Sequence, residues 1–189
     1  MDTRNKFNTY MESARISYWR NLCLHEGTLR HYEKGGDFVS VGTVGRYIGL
    51  IKSGTLKYVA FSEDGSEHVV GLEFADEFVA DYPFSLRGQK ARISIVAETP
   101  CDIYCLSTAA LSERLKNDPD FREIVTISTE AVFSTAYDRY IDLHTKTPKE
   151  RYNILISQHP DLFLHFPLKD IASFLNITPT HLSRLRKNR

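Results

Sequence analysis

The chain of 189 residues carries equal numbers of basic and acidic side chains, 24 of each, and 42% of its residues are hydrophobic. This composition indicates a globular protein rather than a disordered one, and the length allows one large or two small domains. No apolar run approaches the length of a membrane span, and the first residues lack a signal peptide's hydrophobic region, so we expect a cytoplasmic protein without a membrane partner. Three scattered cysteines argue against a disulfide scaffold.

The N-terminal part predicts one helix followed by many short strands. Apolar residues keep helical spacing over residues 6–21, and this helix is expected to end before residues 23–27. Over residues 28–106 the pattern changes to short strands separated by glycine-marked turns, and Asp64-Gly65 is the clearest hairpin signal. This pattern predicts an antiparallel β jelly roll.

After residue 106 the pattern is helical again. Ser107 and Thr108 can cap a helix that ends near residue 117, and Pro119 fits the start of a longer helix that reaches about His144. One side of the longer helix carries a heptad seam with two polar interruptions: Ile124, Ile127, Ala131, Ser134, Asp138 and Ile141. A second stripe contains Phe133, Tyr137, Tyr140 and His144. For these two sides we favour the β-domain and a second copy of the chain as neighbours; the alternative is a monomer that buries both stripes.

The C-terminal part predicts a helix-turn-helix. The apolar stripe of its first helix contains Leu168, Ile171, Ala172 and Leu175. Asn176 can end this helix in the left-handed conformation, Thr178 can cap the next helix, and Pro179 suits its first position. Leu182 and Leu185 then face inward. The outward residues are Thr180, His181, Ser183, Arg184 and Lys187. Because these side chains can reach base edges or phosphates, they indicate DNA recognition; the alternative is a helical hairpin with a solvated basic end.

Charge is unevenly divided along the chain. Residues 146–189 hold eight basic and three acidic side chains, a net charge of +5, whereas the remainder holds 16 basic and 21 acidic ones, a net charge of −5. A basic end on an acidic body fits a polyanionic partner for that end alone. We therefore divide the chain into a sensor domain (1–117), a connecting and dimerisation helix (118–145) and a helix-turn-helix DNA-binding domain (146–189).

This order of elements resembles the catabolite-activator (cyclic AMP receptor, Crp/Fnr-type) superfamily of bacterial transcription regulators over nearly the whole chain. The similar motifs are Tyr32-Glu-Lys-Gly-Gly-Asp37, Ile51-Lys-Ser-Gly-Thr-Leu56, the Asp64-Gly65 hairpin and Ala97-Glu-Thr-Pro-Cys-Asp-Ile-Tyr104. The resemblance implies an α+β fold with a cyclic-nucleotide-binding-like antiparallel β jelly roll, a long dimerisation helix and a winged-helix-like helix-turn-helix. Since the sequence stops at Arg189, we expect the C-terminal wing to be missing.

The resemblance also implies a ligand pocket in the jelly roll. In members that bind cyclic nucleotides, a Gly-Glu pair contacts the ribose and an Arg ten residues later neutralises the phosphate; these positions correspond here to Ala80-Asp81 and Ala91. Asp81 can still accept a hydroxyl, but Ala91 cannot bind phosphate, and Arg92 would point to the opposite face of a strand. We therefore expect no response to cyclic AMP in the family manner. Three alternatives stay open: binding of another anion by Arg87, Lys90 or Arg92, a vestigial pocket, and a merely solvated loop over residues 87–92.

These observations predict a DNA-binding transcription regulator that is a homodimer, with no cofactor and no metal. By family position, Pro179, Thr180 and Arg184 would lie at base edges, with Arg184 as the main candidate for guanine. The full predicted DNA-binding set is Thr178, Pro179, Thr180, His181, Ser183, Arg184 and Lys187. Double-stranded DNA, a second copy and RNA polymerase are the expected partners.

The sequence allows two other functions. One is a sensor of a small molecule, an anion or a nucleotide, whose output is a protein partner rather than DNA. The other is a cupin-like enzyme, which would need a histidine-rich metal cluster inside the jelly roll. Only His31 and His68 lie within the predicted strands. We therefore expect no enzymatic activity.

Overall fold

Two four-stranded antiparallel sheets form the body of the protein in the computed structural model, which describes residues 8–187. The strands are β1 (Thr28–Tyr32), β2 (Asp37–Val39), β3 (Tyr47–Ser53), β4 (Leu56–Phe61), β5 (Glu67–Glu73), β6 (Phe78–Val79), β7 (Ser94–Ala97) and β8 (Cys101–Ser107). Sheet A has the order β1-β8-β3-β6, and sheet B has the order β2-β7-β4-β5. Because the chain repeatedly crosses between the two sheets, the architecture is a jelly roll. The predicted fold class is confirmed.

Tight turns fix the hairpins where the sequence predicted them. Gly54 joins β3 to β4 with φ of +91°, and a Cβ at this position would lie 2.4 Å from the Pro100 carbonyl oxygen. Asp64-Gly65 joins β4 to β5, and Gly65 also has a positive φ. Only glycine combines that backbone conformation with the close contact at Gly54.

The interior between the sheets is apolar. Ile51, Leu56, Ile95 and Ile103 are fully buried there, each with an exposed fraction of 0%. All three cysteines are buried and unbridged. Burial raises the pKa of Cys105 to about 11, which keeps its thiol protonated and unreactive near neutral pH. Within residues 8–187, histidine, cysteine and acidic side chains form no group of three that could hold a metal ion.

Seven α-helices flank or follow the sheets in the described part of the chain. They are α1 (Ile16–Glu26), α2 (Thr108–Asn117), α3 (Pro119–Thr145), α4 (Pro148–Gln158), α5 (Leu162–His165), α6 (Leu168–Phe174) and α7 (Pro179–Lys187), with 3₁₀ turns at Thr9–Glu12 and Phe84–Arg87. Ser107 and Asp118 cap α2 and α3 by accepting bonds from backbone amides, and Thr147 forms a capping box at α4. No helix among residues 8–187 is both long and apolar enough to cross a bilayer.

The limits predicted for the first helix were wrong. Instead of one helix over residues 6–21, the chain forms the 3₁₀ turn, breaks at Ser13 (ψ of 138°) and continues as α1 to Glu26. Lys6 lies outside the described residues. Cys23, which was assigned to a polar segment after the helix, is fully buried on the face of α1 that packs against the jelly roll. Helix α1 therefore extends because its last turns complete the core.

The predicted domain limits remain a prediction. Helix α2 ends at Asn117, and α3 ends at Thr145. Between these points, Phe121 and Val125 of α3 join an apolar cluster with α1 and the strands, and the buried Thr135 bonds to Thr9 in the 3₁₀ turn at 2.8 Å. The long helix thus packs against the sensor domain and also connects it to α4–α7.

Candidate functional site

Helices α6 and α7 form the helix-turn-helix with the predicted caps. Asn176 has φ of +53°, and its backbone amide donates to the Ser173 carbonyl at 2.9 Å, which ends α6. The Thr178 hydroxyl accepts a bond from the His181 amide at 3.2 Å, and Pro179 is the first residue of α7. Left-handed Asn, a hydroxyl cap and proline at the first position together fix the sharp change of direction.

The outer face of α7 is exposed and carries basic side chains. Leu182 is fully buried on the inner face. Of the predicted DNA-binding residues, Ser183 is half-buried and the others are exposed: Thr178, Pro179, Thr180, His181, Arg184 and Lys187. The structure therefore brings the whole predicted set to one helix and the turn before it. Their contacts with DNA remain a prediction.

Two other arginines near α7 have different environments. The Arg186 guanidinium, which the sequence did not single out, lies 4.2 Å from the ring centroid of Phe163 and adds a positive charge at the end of α7. Arg151 instead faces the protein and donates to the Lys146 carbonyl at 2.6 Å and the Leu175 carbonyl at 3.0 Å. Arg151 therefore fastens α4 to the ends of α3 and α6, and its charge contributes less to the outer surface.

The helix-turn-helix packs directly on sheet B of the same chain. The Val69 amide in β5 donates to the Ser173 hydroxyl in α6 at 2.9 Å. A single apolar cluster joins the strand to the helices: Val69, Leu72, Phe74, Tyr152, Leu155, Ile156, Leu162, Phe166, Ile171, Ala172, Leu175 and Leu182. Since burial of this shared apolar area favours the contact, the jelly roll sets where the outer face of α7 points.

An ion cluster lies at the edge of this contact. The Lys57 ammonium in β4 is 2.5 Å from the Asp170 carboxylate in α6 and 2.9 Å from that of Glu98. All three side chains are at most 14% exposed. Burial lowers the pKa of Lys57, but the hydrogen bonds with Asp170 and Glu98 outweigh it, so that the pKa is raised overall. Lysine therefore stays charged and bridges sheet B to the helix-turn-helix.

A cavity of about 300 Å³ lies between sheet B, the segment after β6 and helix α3. Tyr58 and Gly71 line it from sheet B, Asp81 from the segment after β6, and Val132 and Ala136 from α3. This volume is at the lower end of the range for small-molecule pockets. The cavity is the candidate effector site of the molecule.

The four predicted effector residues do not come together. Ala80 and Asp81 line the cavity, whereas Arg87 and Arg92 are exposed and do not line it. Ala91 is buried, with 4% exposure, and the next side chain, Arg92, turns outward onto the ring of Phe84 at 5.1 Å. The two residues precede β7, and Arg92 lies in a bend, so the two side chains have different environments without belonging to a strand. The assignment of Arg87 and Arg92 to an effector stays a prediction without a contact in the cavity.

A buried polar network closes one end of the cavity, and sequence reasoning missed it. The Asn8 amide donates to the carboxylate of Glu73 at 2.5 Å and to that of Glu77 at 2.7 Å. Arg139 of α3 donates to the Asn8 side-chain oxygen, and the Tyr10 hydroxyl donates to Glu73 at 3.0 Å. Burial raises the pKa of Glu73 well above its usual value, and the nearby Glu77 carboxylate adds to the effect.

Helix α3 has an apolar stripe that the other residues of the range 8–187 leave exposed. Phe133, Tyr137 and Tyr140 are 66%, 53% and 60% exposed, and the Phe133 and Tyr137 rings stack at 5.7 Å. Of the predicted heptad seam, Ile124 packs against the core while Asp138 is exposed, so the seam does not form one buried face. The second predicted stripe is therefore the free one. A second copy of the chain remains its expected neighbour.

The two strand histidines lie on the outside of the jelly roll. His31 contacts the Asp102 carboxylate at 2.8 Å, and His68 contacts the Ser62 hydroxyl at 3.3 Å. Both are exposed. A cupin-like metal site would need its histidines inside the jelly roll, and these two lie on its outer surface.

Residues 29–118 match the sequence model of the cyclic nucleotide-binding domain family. The matched segment makes up just under half of the chain. It contains the jelly roll, both cavity-lining residues of the predicted pair Ala80-Asp81, and all of α2. No curated protein sequence gives a significant match to the chain. The resemblance that the sequence motifs indicated is confirmed for this cyclic nucleotide-binding domain.

Solved structures show the same fold over nearly the whole chain. FixK2 from Bradyrhizobium japonicum is similar with a TM-score of 0.74 and 16% identity, over 86% of this chain and 83% of FixK2. A protein from Eubacterium rectale assigned to the Crp/Fnr family of transcriptional regulators has a TM-score of 0.70 and 16% identity, over 91% and 82%. The c-di-GMP-responsive regulator CLP from Xanthomonas campestris has a TM-score of 0.63 and 16% identity, over 91% and 90%. The chain thus has the Crp/Fnr fold, with the cyclic nucleotide-binding domain followed by α3 and a helix-turn-helix.

Proposed function

We propose that the chain is a sequence-specific DNA-binding transcription regulator whose α7 enters the major groove. The observation that carries this proposal is the exposed basic outer face of α7, held on a helix-turn-helix that packs on its own sensor domain. Arg184 would form two hydrogen bonds with a guanine, and the polar and basic residues around it would contact neighbouring bases and phosphates. Activity as an enzyme is not part of this proposal.

The proposed active form is a homodimer. The stripe of Phe133, Tyr137 and Tyr140 is the largest aromatic surface exposed on α3, and self-association through it would bury these rings. Two-fold symmetry would then present two copies of α7 to half-sites about 34 Å apart, one turn of DNA. The operator would accordingly be palindromic.

Control of DNA binding would come from the cavity. Because α3 forms one wall of it, a ligand there would contact the helix that carries both the exposed stripe and the connection to α4. Cyclic AMP bound in the family manner is not expected, since Ala91 occupies the position of the phosphate-binding arginine. CLP is described as responsive to c-di-GMP, a precedent for this fold with another ligand. We further propose a cytoplasmic location and RNA polymerase as a partner.

Selection of DNA targets from a random library with the purified protein tests this function. The proposal expects enrichment of a palindrome with half-sites about one helical turn apart. Arg184→Ala is expected to lower or redistribute the enrichment, whereas Arg46→Ala, which removes an exposed arginine from the jelly roll, is the matched control. Absence of any enrichment would favour the alternative of a sensor that acts on a protein partner.

A further inference from the structure

The cavity beside α3 is lined by polar side chains that are almost all hydrogen-bonded within the protein. The Trp19 indole donates to the Ser128 hydroxyl at 2.7 Å, and the Tyr82 hydroxyl donates to the Val125 carbonyl at 2.8 Å. Further lining residues with such bonds are Asn8, Tyr10, Tyr58, Glu73, Thr135 and Arg139. The indole N–H and hydroxyl groups of the aromatic residues among them are therefore already engaged within the protein.

Asp81 is the exception among the described residues that line the cavity. Its side chain is 5% exposed, and its Oδ2 has no hydrogen-bond partner within residues 8–187. Its carbonyl accepts a bond from the Ser85 amide at 2.9 Å, which anchors the backbone at this point. Burial raises the pKa of Asp81, and the charge of Arg92 lowers it in part. A buried carboxylate oxygen that lacks a donor is unfavourable, so a ligand that supplies a donor to Oδ2 would be stabilised here.

The charge balance of the cavity disfavours an anion. Glu73 and Asp81 line it, and Arg139 is the one cation that does so in the described part of the chain. Arg139 already donates to Asn8 and lies in the field of Glu73. Arg92 is exposed and does not line the cavity. An anionic ligand would meet two acidic side chains and one cation that is already engaged, whereas a cation would find Asp81 open.

The remaining walls suit the body of an aromatic amine. Rings of Trp19, Tyr58, Phe78, Tyr82 and Phe84 line the cavity, and aromatic faces attract ammonium groups. The volume of about 300 Å³ is about twice that of an engineered ~150 Å³ cavity that holds benzene. There is consequently room for one ring with a short alkyl arm.

We infer that this cavity binds an organic cation, an ammonium group on an aromatic body, with the ammonium donating to Asp81. The inference rests on the proposed function in one respect: the cation would be the effector of the regulator. It replaces the sequence-based hypothesis of an anionic effector held by Arg87 or Arg92.

Fluorescence of Trp19 provides the test, because it is the single tryptophan of the chain and lines the cavity. The full chain without DNA is titrated with three probes: phenethylamine, phenylacetate and cyclic AMP. Phenylacetate has nearly the same size and the same ring as phenethylamine but carries a carboxylate instead of an ammonium group. We expect phenethylamine to give a saturable change with a Kd below about 1 mM and to raise the melting temperature. Phenylacetate and cyclic AMP are expected to bind at least about tenfold more weakly.

Asp81→Asn removes the charge without changing the side-chain volume. It is expected to weaken phenethylamine about ten- to a hundredfold, while Asp138→Asn, at an exposed site on α3, leaves the affinity unchanged. Circular dichroism and the melting temperature of the free variant show whether it is folded, and Asp81→Ser is the second variant if it is not. Unchanged binding by a folded Asp81 variant, equal affinity for phenylacetate, or no saturable change with any probe would overturn the inference. Since none of these titrations contains DNA, their failure is separate from a failure of DNA binding.

Discussion

Lys57 in strand β4 contacts Asp170 in helix α6 at 2.5 Å and thereby joins the sensor sheet to the helix-turn-helix. The two residues are 113 positions apart in the chain. Glu98 completes the cluster on the sheet side. Because all three side chains are nearly buried, the attraction is screened by solvent much less than in a surface pair. The position of α7 thus depends on a contact between the two functional parts.

Lys57→Met is expected to destabilise the protein strongly. The substitution leaves the buried Asp170 carboxylate without this cation, whereas Glu98 keeps the exposed Lys34 ammonium at 3.4 Å. Loss of one partner from a buried ion pair costs about 3–5 kcal/mol in the free energy of unfolding. Urea denaturation measures the change in the free energy of unfolding. Lys52→Met, at an exposed lysine on β3, is the control and should change it by about zero. Equal stability of the two variants would show that the cluster does not hold the parts together.

The buried His159 should make the free energy of unfolding depend on pH. Burial lowers the pKa of His159 to about 4, and its ring stacks on Phe74 at 4.0 Å. The unfolded chain, with a histidine pKa near 6.5, therefore takes up the proton first as the pH falls, and the folded state loses stability between about pH 6.5 and 4. With 1.36 kcal/mol per pKa unit, this loss is about 3 kcal/mol.

His159→Gln should remove this dependence, since glutamine does not titrate. The stability advantage of the unmodified protein over the variant is expected to shrink by about 3 kcal/mol between pH 6.5 and 4. His25→Gln, at an exposed position on α1, is the control that keeps the full dependence. A constant difference between the unmodified protein and His159→Gln over this range would contradict the neutral buried state.

Arg184→Ala is expected to reduce sequence discrimination. Loss of a two-bond contact with guanine costs about 1–3 kcal/mol on the specific site and much less on random DNA. Fluorescence anisotropy with both DNAs measures the ratio of affinities. Arg46→Ala should leave that ratio unchanged. If Arg184→Ala weakened both DNAs equally, Arg184 would be a phosphate contact rather than a base contact.

Tyr137→Glu is expected to dissociate the proposed dimer. The side chain is 53% exposed at the centre of the α3 stripe, so a charge there costs little in the monomer but would be buried in the dimer. Sedimentation analysis at a fixed concentration should report the mass of one chain. Ala110→Glu adds the same charge to an exposed position on α2 and should leave the mass unchanged. A dimeric Tyr137→Glu protein would place the interface elsewhere.

Local chemistry made part of this structure predictable. The caps at Ser107, Asn176 and Thr178 and the Asp64-Gly65 turn depend on neighbours within a few residues, and each forms where the pattern indicated.

Contacts between distant segments could not be predicted in this way. Asn8 and Glu73 are 65 positions apart, and Asn8 and Arg139 are 131 apart, so no sequence pattern brings them to one end of the cavity. The packing of Phe74 on the helix-turn-helix also joins segments that are far apart in the chain. Helix α1 continues past its predicted end because Cys23 is buried against the strands, a contact that the local pattern does not contain.

The most direct measurement for the proposed regulator is its affinity for a selected palindrome as the distance between half-sites changes. A dimer with two α7 helices one turn apart should bind the selected spacing tightly, with two chains per site. Insertion of about 5 bp turns one half-site to the opposite face and should lower the affinity at least about tenfold, whereas about 10 bp should restore part of it. Equal affinity at all three spacings, or one chain per site, would contradict a dimeric major-groove regulator.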